Sequence, residues 1–155
     1  MINNLLLLVI VTVSYAGYNL FIKLSSSQNI DNTNSIAATL SLQVFALVVT
    51  SIFSVYLFSK GERIFVLPSK SYLYAIFGGI SIGFAEIGYF YLFNAANPNG
   101  PLNANTAIPV ILGGTILITM IFSFYIFRES YSYQKILGTL FIIFGIYLVL
   151  IKIKI

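Results

Sequence analysis

The sequence predicts an all-α membrane protein with five transmembrane helices. Of its 155 residues, 59 % are hydrophobic and 8 % charged, with a mean hydropathy of +0.96; an ordinary soluble domain carries about 25 % charge. The apolar residues also gather into five runs, at 5–24, 36–58, 71–94, 102–127 and 133–150. At ~1.5 Å per helical residue, runs of this kind match a ~30 Å hydrocarbon layer. Finally, most of the eight basic residues sit at the ends of these runs, where they fix topology and meet lipid headgroups rather than form a clustered basic face for nucleic acid.

The first run, 5–24, contains Ser14-Tyr15-Ala16 before Gly17, which resembles a signal-peptide cleavage site. No Lys or Arg precedes the run and it continues to Lys23, so it reads as a retained helix. Thr12, Tyr15, Asn19 and Lys23 recur at helical spacing, giving it a polar stripe that should face protein or water. Lys23, a turn from the end, fits a snorkelling side chain at least as well as a binding role. A polar connection at 25–35 follows. In the second run, 36–58, Thr39, Gln43, Thr50 and Ser54 share a face. Such residues commonly glue helices together at ~0.6 kcal/mol per hydrogen bond, with Gln43 a secondary candidate for a site.

The connection at 59–70 is the most basic, with Lys60, Arg63 and Lys70 around Glu62, Gly61 and Pro68. The third run, 71–94, carries Glu86 within its apolar sequence. A carboxylate at membrane depth costs ~2.5–3.5 kcal/mol on insertion scales, so such residues turn inward and commonly serve transport. Gly79, Gly83, Glu86 and Phe90 fall on one face, which places the carboxyl beside a Gly-x-x-x-Gly groove where another helix can come close. Two readings stand: a neutral acid hydrogen-bonded to a neighbouring helix, or a titratable, substrate-facing group. In the second, Tyr15, Tyr18 and Asn19 from the first helix, Gln43 from the second and Tyr89 from the third are the accompanying candidates.

Asn97-Pro98-Asn99-Gly100-Pro101 forms a turn. The fourth run, 102–127, holds Pro109 soon after Asn103, Asn105 and Thr106, which interrupts its backbone hydrogen bonding and predicts a kink. Ser132 is positioned to cap the last helix, 133–150, where Gly138 and Gly145 stand seven apart as packing positions. Five spans place the termini on opposite sides. Lys60, Arg63, Lys70, Arg128 and Lys135 then share the side of the N-terminus, against Lys152 and Lys154 on the other, or three with Lys23, so the N-terminus is expected in the cytoplasm. The chain has no Cys and no His, which removes thiol chemistry and the usual zinc sites. No phosphate-binding or nucleophile motif is present, so neither a cofactor nor an enzymatic activity is expected.

The stretch from Pro109, PVILGGTILITMIFSFYIFRESYSYQKILGTLFIIFGIYLVL, resembles the end of an EamA-type domain of the drug/metabolite transporter superfamily. The correspondence lies in a Pro in the fourth helix, an acid in the following loop (Glu129) and the Gly138/Gly145 pair. SYAGYNLFIKLSS, with Lys23 near the helix end, and the aromatic YFYLFNAA before the turn resemble the family's first and third helices. The resemblance implies one half of an inverted-repeat transporter, a single domain over 1–155 in a bacterial inner membrane. It also implies a small organic substrate and a dimer or paired half-size subunit, because inverted halves close a cavity near the midplane. An accessory membrane scaffold and a subunit of a lipid-linked sugar flippase are the alternatives. The related small multidrug-resistance proteins use a Glu in the first helix; here that position is Tyr15, so a role for Glu86 follows from this sequence alone.

Overall fold

The computed structural model describes residues 4–28, 31–64 and 66–151. Among them are five helices, α1 (Asn4–Ser27), α2 (Asn32–Ser59), α3 (Ser69–Phe93), α4 (Ala104–Phe127) and α5 (Tyr133–Leu150), all long and apolar enough to cross a membrane. Lys152 and Lys154 lie outside the described residues.

The spans fall where hydropathy puts them, and the differences sit at their ends. The polar stretch expected as a connection at 25–35 is helical on both sides: α1 runs on to Ser27 and α2 already begins at Asn32. Ser27 Oγ donates to the Leu24 carbonyl at 2.8 Å, so polar residues satisfy the helix end locally. Lys70 belongs to α3, whose start is set by Pro68, whose carbonyl accepts from the Ser71 and Tyr72 amides. α4 starts two residues later than expected, at Ala104, with the Asn103 carbonyl accepting from Thr106 and Ala107. Pro109 lies within α4 in one continuous helical segment. Ser132 caps α5 as expected, its Oγ accepting from the Lys135 amide at 3.3 Å.

Polar residues on the apolar helices are handled mainly within the helix. Thr12, Thr39, Thr50, Ser54 and Thr115 each donate to the carbonyl four residues earlier, at 2.8–2.9 Å. The Thr39/Thr50/Ser54 face of α2 therefore does not glue helices through its hydroxyls, contrary to expectation. A hydroxyl one carbon from the backbone reaches its own helix first.

The chain divides into two compact units, one of α1–α3 ending at Pro101 and one of α4–α5 beginning at Leu102. In the first, the largest fully buried side chains are Phe90, Phe93, Ile22, Glu86 and Asn94, with Tyr89 also buried. The unit closes with the expected turn: the Gly100 amide donates to the Asn97 carbonyl at 2.8 Å, with Gly100 at φ +78°. In the second unit, Arg128 adopts a left-handed conformation (φ 53°) that ends α4. The loop after it folds back on α4, with Ser123 Oγ donating to Glu129 Oε2 at 2.7 Å and the Tyr131 hydroxyl donating to the Met120 carbonyl.

The glycines expected to pack are not the tight ones. A Cβ at Gly79, Gly83, Gly138 or Gly145 would meet nothing within 4 Å. On α3 the reason is position, since Gly79 and Gly83 precede Glu86, the first buried residue of that helix. The close approach occurs at Gly113 of α4, where a Cβ would stand 2.6 Å from Ile146 Cδ1 of α5.

Candidate functional site

Two consecutive residues of α1, Tyr18 and Asn19, meet two residues of α3 one helical turn apart, Glu86 and Tyr89. The spacing lets each helix offer one tyrosine and one acceptor. The Tyr18 hydroxyl donates to Glu86 Oε1, and the Tyr89 hydroxyl donates to Asn19 Oδ1 at 2.8 Å. The two bonds run in opposite directions between the helices and fix their rotation against each other. Glu86 and Asn19 are 2 % and 4 % exposed, so each tyrosine hydroxyl meets an acceptor that bulk water does not reach.

Aromatic contacts extend the pairing along the helices. Tyr18 stacks on Tyr89 with centroids 6.4 Å apart, Tyr15 meets Tyr18 edge-on at 6.0 Å, and Tyr89 leans on Phe93 at 5.2 Å. Lys23 Nζ lies 4.9 Å from the centroid of Phe93, a cation–π contact that ties the C-terminal end of α1 to that of α3. Lys23 is thus engaged with protein at its helix end. Its stripe divides: Asn19 and Lys23 turn toward α3, while Thr12 and Tyr15 are exposed.

Glu86 Oε2 has no protein hydrogen-bond partner. A buried oxygen left unpaired costs roughly 1–3 kcal/mol, so the carboxyl is held by one oxygen and keeps the other available to a proton or to a donor on a ligand. Tyr15, Tyr18, Asn19, Tyr89 and Glu86 are thereby brought together. Gln43 is half-buried on α2 and forms no hydrogen bond with them. No group of three or more His, Cys, Asp or Glu suited to a metal ion occurs among the described residues.

A second buried polar cluster escaped sequence reasoning. Asn94, at the end of α3 and fully buried, donates through Nδ2 to Ser35 Oγ at 2.6 Å and to the Asp31 carbonyl at 3.2 Å. Its Oδ1 accepts from the Ala96 amide at 2.8 Å. The available signal was an Asn closing an apolar helix in a chain whose α1–α2 connection is rich in Ser and Asn.

No curated protein matches the sequence, and no solved structure matches the chain. A family model does: that of the EamA-like transporter family covers residues 3–151. Five apolar helices, a buried intramembrane carboxyl and a match over almost the whole chain lead to one assignment: the protein belongs to the EamA-like transporter family, membrane transporters of the drug/metabolite superfamily.

Proposed function

We propose that the protein is a secondary transporter of a small organic solute, acting as a dimer of half-size subunits in a bacterial inner membrane, with Glu86 exchanging a proton for substrate. The observation that carries this reading is the half-satisfied carboxyl. Glu86 is buried in a membrane-spanning helix, accepts one bond from Tyr18 and has no protein partner at Oε2. A carboxyl serving only to join helices would gain by engaging both oxygens, whereas one that alternates between proton and substrate needs a free position. Tyr18 and Tyr89 supply flat faces and hydroxyls beside it, suited to a solute with an apolar body and a polar group. The open glycines Gly79, Gly83, Gly138 and Gly145 support pairing, because a helix of a second subunit can approach the backbone closely there.

The test is Glu86→Gln, which preserves shape and hydrogen bonding and removes the titration. Purified protein in weakly buffered detergent is challenged with a panel of organic amines, sugars and amino acids while proton release is followed with an indicator dye. Wild type should release protons with the members that bind. Glu86→Gln should fold and lose both the release and the pH dependence of affinity. A mutant retaining the wild-type pH profile would dismiss Glu86 as the coupling group and favour a scaffold role for this carboxyl.

A further inference from the structure

Burial in the α1–α3 unit is one-sided. Among its described residues, every buried one lies within 19–39 or 86–94. The remaining parts of α1, α2 and α3, on the side of the 60–68 connection, have exposed or half-buried residues throughout. Glu86 stands at the boundary, with half-buried Tyr18 and exposed Tyr15 on its open side. On its closed side lie Phe90, Phe93 and then Asn94.

Asn94 is the polar element of that closed end. It ties the end of α3 to the start of α2 through Ser35 Oγ and the Asp31 carbonyl, beside the Lys23–Phe93 contact to α1. Ser26 of α1 is fully buried too, and its Oγ has no partner. An apolar plug would resist water entry. Here Ile22, Phe90 and Phe93 form an apolar inner part, whereas the amide and hydroxyl hydrogen bonds at the outer end can each be replaced by water at a net cost of ~0.5–1.5 kcal/mol, and the unpaired Ser26 hydroxyl gains a partner when water enters.

We propose that Asn94 and Ser35 form the latch of a gate, which in this structure is shut between Glu86 and the membrane surface at which α1 ends and α2 begins. The inference deepens the transport reading of Glu86 and rests on it. Asn94 acts as a positioning residue: it holds the helix ends together, and its release opens a route to the carboxyl from that surface.

The native chain has no Cys, so single cysteines report access without background and without any substrate. Ser26→Cys, near-isosteric at a fully buried position, is treated in sealed vesicles with a membrane-impermeant trimethylammonium methanethiosulfonate on the side at which α1 ends and α2 begins. Asn99→Cys, on an exposed turn residue, is the reference. In the native background Ser26→Cys should react far more slowly than Asn99→Cys. Asn94→Ala should raise its rate about tenfold and Ser35→Ala severalfold, as expected for removing from a local opening equilibrium the two hydrogen bonds that Asn94 makes to the start of α2, or the one of them that Ser35 accepts, with Asn99→Cys unchanged. Should Asn94→Ala fail to fold, Ser35→Ala decides alone. Unchanged Ser26→Cys rates, or rates already equal to those of Asn99→Cys in the native background, would overturn the latch. Failure of the Glu86 reading is separately visible, as a Glu86→Gln protein with a wild-type pH profile in which Asn94→Ala still speeds labelling.

Discussion

Tyr18→Phe isolates the bond on which the site depends. The ring remains, so the stacking on Tyr89 and the edge contact with Tyr15 persist, and only the hydroxyl that donates to Glu86 Oε1 is lost. Because Oε2 already has no partner, the variant leaves both oxygens of a 2 % exposed carboxyl without a protein donor. A hydrogen bond to a charged group is worth ~1.5–3 kcal/mol and one between neutral groups ~0.5–1.5 kcal/mol. With the carboxyl ionised, the same substitution in a Glu86→Gln background should therefore cost less, and the cycle of the two single variants and the double, measured at a pH that ionises Glu86, should give a coupling of ~1–2 kcal/mol. Reversible unfolding in mixed micelles, followed by circular dichroism, measures all four proteins. The reasoning fails if the single-variant costs add to within ~0.3 kcal/mol, the range of independent sites, for the hydroxyl and carboxyl would then not act on each other.

Gly113→Ala places a methyl 2.6 Å and 2.9 Å from Ile146 Cδ1 and Cγ1; it should cost ~1–3 kcal/mol by overpacking, and Ile146→Ala should relieve part of that cost in thermal unfolding, whereas Gly114→Ala, with nothing within 4 Å of its Cβ, should not destabilise. Reporter fusions should find the N-terminus cytoplasmic and the C-terminus across the membrane, following the five basic residues on one side; both ends on the same side would remove the five-span topology. Single cysteines at Gly138 and Gly145 should cross-link two copies in native membranes; transport by a protein reconstituted as a monomer would refute the dimer.

The spans were legible because hydropathy and length act over ~20 residues, and no local detail outweighs the cost of exposing apolar surface to water or backbone to lipid. Helix ends were less legible. At the end of α1, Ser27 Oγ returns to the Leu24 carbonyl, and hydropathy cannot distinguish a polar helix end from a polar loop. Glycine spacing marked open faces rather than the tight contact within the chain, for a geometric reason. Gly-x-x-x-Gly marks a face able to accept a neighbour, and whether a neighbour comes depends on tertiary placement; on α3 burial begins only at Glu86. Gly113 follows Pro109 and stands beside Gly114 in the sequence without signalling that Ile146 would seat against it.

The polar residues that meet between α1 and α3 stand out in the sequence, and their partners follow from reach. Ser and Thr carry the hydroxyl next to the backbone, so Thr12, Thr50 and Ser54 return it to their own helix. Tyr carries it beyond the ring, past any carbonyl of its own turn, and in an apolar surrounding it must find an acceptor on another element. Tyr18 and Tyr89 do so, and the acceptors they meet, Glu86 and Asn19, are polar residues set within apolar helical sequence. The first pairing leaves Oε2 unbound and the second engages Asn19 Oδ1. Of the two clamps, the one through Glu86 is thus the one that retains an acceptor position for a ligand or a proton, while the one through Asn19 holds α1 and α3 in register around it.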